Sequence, residues 1–285
     1  SFKAFSQWFP PERQASLTGW IMASGGLGAL AAAKPLELAL TITGWRGIVL
    51  ALAATTLAVA AVIWWLVPDR PVVERGASLA EQFSGVKQIF LSRHFWRYGP
   101  LAFWLTGGFM AVQGLWATRW MNVIEHMGSP AIAARLTWIS GAMLAGFLFM
   151  GFFATGLVRR GIRLESVYLA AMLAAVAGLA LLASFPTVGG DLLWPLLGAC
   201  FSLSNIAYSL VAQAFPPALS GRVNTALNLL VFAGAFSLQW GIGILVDLLQ
   251  SAGWTAETAY RAAFIALLAG QTTAFTWLVA SRKKN

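Results

Sequence analysis

The sequence has little charge. Asp, Glu, Lys and Arg make up 10% of its 285 residues, against about 25% in ordinary soluble domains. Hydrophobic residues make up 59%, and the mean hydropathy is +0.72. So few polar groups cannot cover a soluble surface of this size, and the composition is that of a membrane protein. Cysteine is as scarce: Cys200 stands alone in an apolar run, which excludes an intrachain disulfide and a thiolate metal cluster. The two histidines, His94 and His126, flank opposite ends of one apolar segment and cannot share a metal or haem. With no His, Asp, Glu or Ser cluster spaced as nucleophile and base, the sequence reads as a non-enzyme that uses no cofactor and no metal. The opening residues "SFKAFSQWF" lack an initiator Met and the regions of a signal peptide, so the chain reads as starting part-way through a longer one.

What is there is apolar helix. A span needs about 20 mostly apolar residues to cross ~30 Å of hydrocarbon, because backbone exposed to lipid cannot stay unpaired. Eight segments qualify, at 15–41, 46–67, 99–122, 131–158, 164–185, 191–214, 222–249 and 259–281, with residues 1–9 as the tail of a ninth. Between them lie short connections and one long polar stretch, from Asp69 to Arg97.

The 19 Lys and Arg against 10 Asp and Glu give a net charge of +9. They punctuate apolar segments instead of gathering on a soluble face, which argues against a nucleic-acid partner. Assigned alternately to two sides, the loops place 14 of the 19 on the side of Lys3, "FPPERQ", the 69–97 stretch, "RRGIR", Arg222 and "SRKKN". The positive-inside rule puts that side, and the C-terminus, in the cytoplasm, in an integral, multi-pass membrane protein.

Two stretches repeat. A shift of 206 lays Phe9-Pro10-Pro11 on Phe215-Pro216-Pro217 and Gly28 on Gly234, and three inserted residues bring Gly44-Trp45 onto Gly253-Trp254. A repeat of the same orientation after six spans implies two parallel six-helix halves joined by a central loop.

These residues carry a resemblance. "FPPERQASLTGWIMASGGLGAL", "TGWRGIVLALA" and "VPDRP" are similar to the helix 4 to helix 6 region of major facilitator superfamily transporters, and "QGLWATRW" resembles the helix 7 run of bacterial members. The resemblance covers essentially the whole chain and implies an all-α membrane bundle running from the end of helix 4 through helix 12, about eight transmembrane helices of an expected twelve. It divides the chain into 1–68, the remainder of the first half; 69–98, the cytoplasmic central loop; and 99–285, the second half. The turn "GLVRRGIR", with Arg159, Arg160, Gly161 and Arg163, is similar to the superfamily's Gly-x-x-x-Asp-Arg-x-Gly-Arg-Arg turn. Val158 stands in the Asp place and Ile162 in an Arg place, which puts the family's gate-stabilising ion pair in question here. Gly19 and Gly28 match the spacing of the drug/proton antiporter motif, but Ala32 and Ala33 replace its Gly-Pro, so drug efflux gains little.

Ionisable groups in lipid cost several kcal/mol unless paired or facing water, so buried charge comes first as a candidate for chemistry. Lys34 and Glu37 share one helical face, with Pro35 between them. They read either as an attractor for an anionic solute with a proton carrier or, by the plainer reading, as a snorkelling pair. Gln113, Trp116, Asn205 and Tyr208 put hydrogen-bonding groups inside apolar helices, as solute contacts or as links between helices. The resemblance favours Gln113, Trp116 and Asn205 for a cavity, since helices 7 and 10 line it in the family. Arg119 and Asp247, near outer span ends, read as gate groups or interfacial anchors, with anchors the plainer reading. Most of the 14 Trp residues suit the membrane interfaces.

The function implied is secondary active transport of a small solute by alternating access. Lys34 and Arg119 hint at an organic anion or similar metabolite, with a coupled proton or counter-solute. Further partners would be the lipid bilayer and the missing N-terminal helices of the same protein. The alternatives are a non-transporting receptor or sensor of the same architecture and a drug-efflux antiporter.

Overall fold

A computed structural model describes residues 8–31, 34–66, 79–185 and 189–284. Every regular element among them is helical. α1 is Pro11–Ala31, α2 Lys34–Leu66, α3 Leu79–Leu91, α4 residues 93–123, α5 Ser129–Arg159, α6 Leu164–Ser184, α7 Gly190–Ala212, α8 Ser220–Ser251 and α9 Ala256–Ala280. Six stretches are long and apolar enough to cross a membrane: Ile42–Leu66 in α2, α5, α6, α7, Pro217–Ser251 around α8, and α9. The other two expected spans are helical as well. α1 is less apolar, and α4 is interrupted by π-type turns at Ala102–Gly107 and Val112–Trp116.

The first expected span, 15–41, falls on α1 and the first part of α2, with residues 32–33 outside the described ones. That helix breaks at Gly44, whose φ of 64° and ψ of 174° suit a residue without a Cβ. Its repeat partner Gly253 also has positive φ, 90°, and ends α8 with its N–H bonded to Gln250 O. The glycine of the Gly-Trp pair therefore takes a positive φ in both places. The polar stretch 69–98 is not all loop, since it contains α3 and the start of α4. Residues 1–7, the expected tail of a ninth helix, lie outside the described residues.

α4–α9 form two interlocked triplets. The middle helix of each packs on the first helix of the other, α5 on α7 and α8 on α4, while the third helices α6 and α9 pack together. In lipid there is no hydrophobic gain from helix association, so close packing and interhelical hydrogen bonds must hold such contacts. Gly107 and Gly234 make the α4–α8 crossing: a Cβ on Gly107 would lie 2.5 Å from Val231 O, and one on Gly234 2.2 Å from Phe103 O. α1 approaches α5 the same way at Gly19, 2.5 Å from Gly151 N. By contrast Gly28, Gly234's partner in the repeat, meets nothing within 4 Å among the described residues, and neither do Gly25 and Gly241. Large aromatics fill the interior, with Trp120 and Phe264 at 4.2 Å between ring centroids. α2 differs from the rest: none of its apolar window is buried, and its main contact is with α1.

Candidate functional site

The second π turn of α4 widens the helix by one residue, and such turns recur at functional positions. It carries Gln113 and ends on Trp116. The Trp116 indole is buried; its Nε1–H donates to Gln239 O of α8 at 2.9 Å, and its ring stands 6.0 Å from that of Tyr260. Gly243 makes room for it, because a Cβ there would meet Trp116 Cζ2 at 3.3 Å. Along α8, Phe236, Trp240, Gly243 and Asp247 follow one another at four-, three- and four-residue steps and so share one face, with Gln239 beside Trp240 at its edge. With Trp116 and Leu115 they enclose an open groove of about 350 Å³. One carboxylate, one side-chain amide and two indoles are thus gathered on an otherwise apolar surface.

Of the residues singled out from sequence, Trp116 and Asp247 are brought together here. Gln113 is half-buried one turn before Trp116 and does not line the groove, and Arg119 is exposed with no ion pair among the described residues. Asn205 lies elsewhere, at the break between the two pieces of α7, where its Nδ2 donates back to Phe201 O at 3.4 Å and Ser202 O at 3.3 Å. It faces the tight α1–α5–α7 seam with Ala15, Gly19 and Phe147. Tyr208 is buried and donates its OH to Asn228 Oδ1 of α8 at 2.7 Å, a link between helices. Lys34 and Glu37 begin α2, but their side chains lie outside the described residues. Gln239 and Trp240 are the groove residues that sequence reasoning passed over; their spacing of eight and seven residues before Asp247 is the signal that could have found them.

The family model of the Major Facilitator Superfamily matches residues 1–239. The chain belongs to that superfamily. It is therefore an integral, multi-pass, all-α membrane transporter. No curated protein matches the sequence.

In this superfamily member two charged hubs tie the helix ends, and neither was visible as a sequence motif. At one end Glu165, in the first turn of α6, gathers three arginines. Arg97 NH2 lies 2.6 Å from its Oε1, while Arg163 and Arg282 reach its Oε2 at 3.1 and 3.9 Å. Arg97 and Glu165 are nearly buried, and Arg97 Nε also donates to Leu278 O of α9 at 3.5 Å. At the opposite end Arg135 of α5 bridges Glu125 and Asp191, and Trp194 Nε1 donates to Glu125 at 2.9 Å. In the turn after α5, Gly161 and Arg163 line a cleft with Glu12 of α1, while Arg159 and Arg160 are exposed and do not line it.

Proposed function

We propose that this protein is a secondary active transporter that moves a small organic solute by alternating access. In this reading, residues 1–68 belong to one six-helix half, 99–285 form the other, and 69–98 join them on the cytoplasmic side of a bacterial inner membrane. The groove of Trp116, Gln239, Trp240 and Asp247 carries the reading: it is an open recess on the α4–α8 face that sets a carboxylate and an amide in an apolar wall, and polar side chains in lipid are costly unless they serve water or a solute. Its two indoles suit a flat apolar body, and the amide and carboxylate suit a hydrogen-bonding edge. Lys34 and Arg119 make organic anions the first class to test, with a proton or counter-solute as the driving partner; Lys34 and Glu37 remain the candidates for the charge that couples.

Thermal unfolding of the purified protein across a metabolite library is the test. A true solute raises the midpoint, and Trp116→Ala removes that rise. Stabilisation by organic cations alone, unchanged by Lys34→Ala, would remove the anion reading. Counterflow of the labelled solute in liposomes separates a carrier, which shows accelerated exchange, from a receptor of the same architecture, which shows none.

A further inference from the structure

We infer that the cleft between α3 and the first turns of α8 binds an anionic phospholipid, its phosphate on Arg222 and an acyl chain along Leu229. This goes beyond the transport reading and depends on neither the solute nor the direction of its movement.

Charge comes first. The cleft holds about 500 Å³ of open space, with Val86 and Phe90 of α3 on one wall and Arg222, Thr225, Ala226 and Leu229 of α8 on the other. Arg222 alone of the lining residues is charged, and its guanidinium has no hydrogen bond or ion pair among the described residues. Thr225 spends its hydroxyl proton on Gly221 O at 2.9 Å. No carboxylate lines the cleft among the described residues, so a cation stands there with its donors unclaimed, and an anion from outside satisfies it. Position is the second observation. A Cβ on Gly85 would lie 2.5 Å from Arg222 Nη1, so α3 offers bare backbone at that point and the half-buried side chain rests against it. Depth decides the kind of anion. The apolar stretch Pro217–Ser251 has 35 residues, about 52 Å at 1.5 Å per residue against ~30 Å of hydrocarbon, so its first turns stand at headgroup level. Arg222, Thr225, Ala226 and Leu229 share one face of α8, and Leu229 lies ~10 Å further along the helix than Arg222. Leu229 is 60% exposed and Val86 42%. The cleft therefore runs from a cation at the membrane edge to bare apolar walls deeper in. A free inorganic anion would use the cation and leave those walls bare, whereas a phosphodiester carrying acyl chains uses both.

The test is thermal unfolding of the whole chain in detergent with added phosphatidylglycerol, phosphatidylcholine or inorganic phosphate, alongside native mass spectrometry of retained lipid. Phosphatidylglycerol should raise the midpoint. Phosphatidylcholine should stabilise less, because its choline would bring a second cation to a cleft without a carboxylate, and phosphate should not stabilise. R222Q, which breaks no ion pair among the described residues, should keep the lipid-free midpoint. Its phosphatidylglycerol affinity should fall roughly ten-fold, the loss of one charge-assisted hydrogen bond. L229Q, at an exposed position, should also weaken lipid retention. K87Q removes an exposed charge from the residue after Val86, outside the cleft, and should lose no more than about two-fold. A fall in the lipid-free midpoint of R222Q would show its guanidinium already spent within the protein. That fall, equal stabilisation by phosphatidylcholine, stabilisation by phosphate, full lipid retention by R222Q or L229Q, or an equal loss in K87Q would each overturn the site.

Discussion

Trp116 serves both packing and recognition, because one edge of its indole is spent on Gln239 O while its face borders the groove. Trp116→Phe keeps an aromatic ring and loses the hydrogen bond, so it should cost about 1 kcal/mol of stability, read by thermal unfolding in detergent, and should weaken solute binding. Unchanged values in both measurements would remove Trp116 from the site. Glu165 matters differently. Its carboxylate is 11% exposed and holds a 10%-exposed Arg97, so Glu165→Gln leaves a nearly buried guanidinium without its partner, at a cost of about 3 kcal/mol. Replacing both, Arg97→Met with Glu165→Leu, should recover much of that loss, because paired removal strands no charge; a double variant no better than the single one would show that the pair is not the reason. Trp116 and Asp247 could be named from sequence because polar groups stand out in apolar runs. The Arg97–Glu165 pair could not, since 68 residues separate its members and only the tertiary fold brings them together.

Helix positions were readable because hydrocarbon thickness sets a length that few other segments meet. The expected spans 131–158 and 164–185 fall within two residues of α5 and α6. α3 was hidden: Leu79–Leu91 is only 13 residues long, and its buried face, Gly85 and Ile89, is too narrow a stripe to mark a helix. Nor could the pattern show which glycines touch a neighbour. Gly107→Ala would put a methyl 2.5 Å from Val231 O in a contact made by two backbones that cannot yield, so it should cost about 1–3 kcal/mol and lower the yield of folded protein. Gly241→Ala meets nothing within 4 Å and adds helix propensity, so its unfolding midpoint should hold or rise. Equal effects of the two substitutions would contradict the α4–α8 crossing.

For the whole molecule, the chain is a superfamily member whose α4–α9 pack as two interlocked triplets. Of the positions that the Phe-Pro-Pro and Gly-Trp repeat pairs, Gly44 and Gly253 share a positive φ, while Gly28 and Gly234 differ in what they face. Alternating access requires the α4–α8 groove to open to each side of the membrane in turn, and Cys200, at 3% exposure, can be replaced to leave a chain free of thiols. The direct measurement is labelling of Gln239→Cys, whose backbone carbonyl still receives Trp116, in a Cys200→Ser chain reconstituted in liposomes. An impermeant thiol reagent is supplied from one side and then from the other. The account predicts labelling from both sides and protection by transported solute; labelling from one side alone, indifferent to solute, would contradict it.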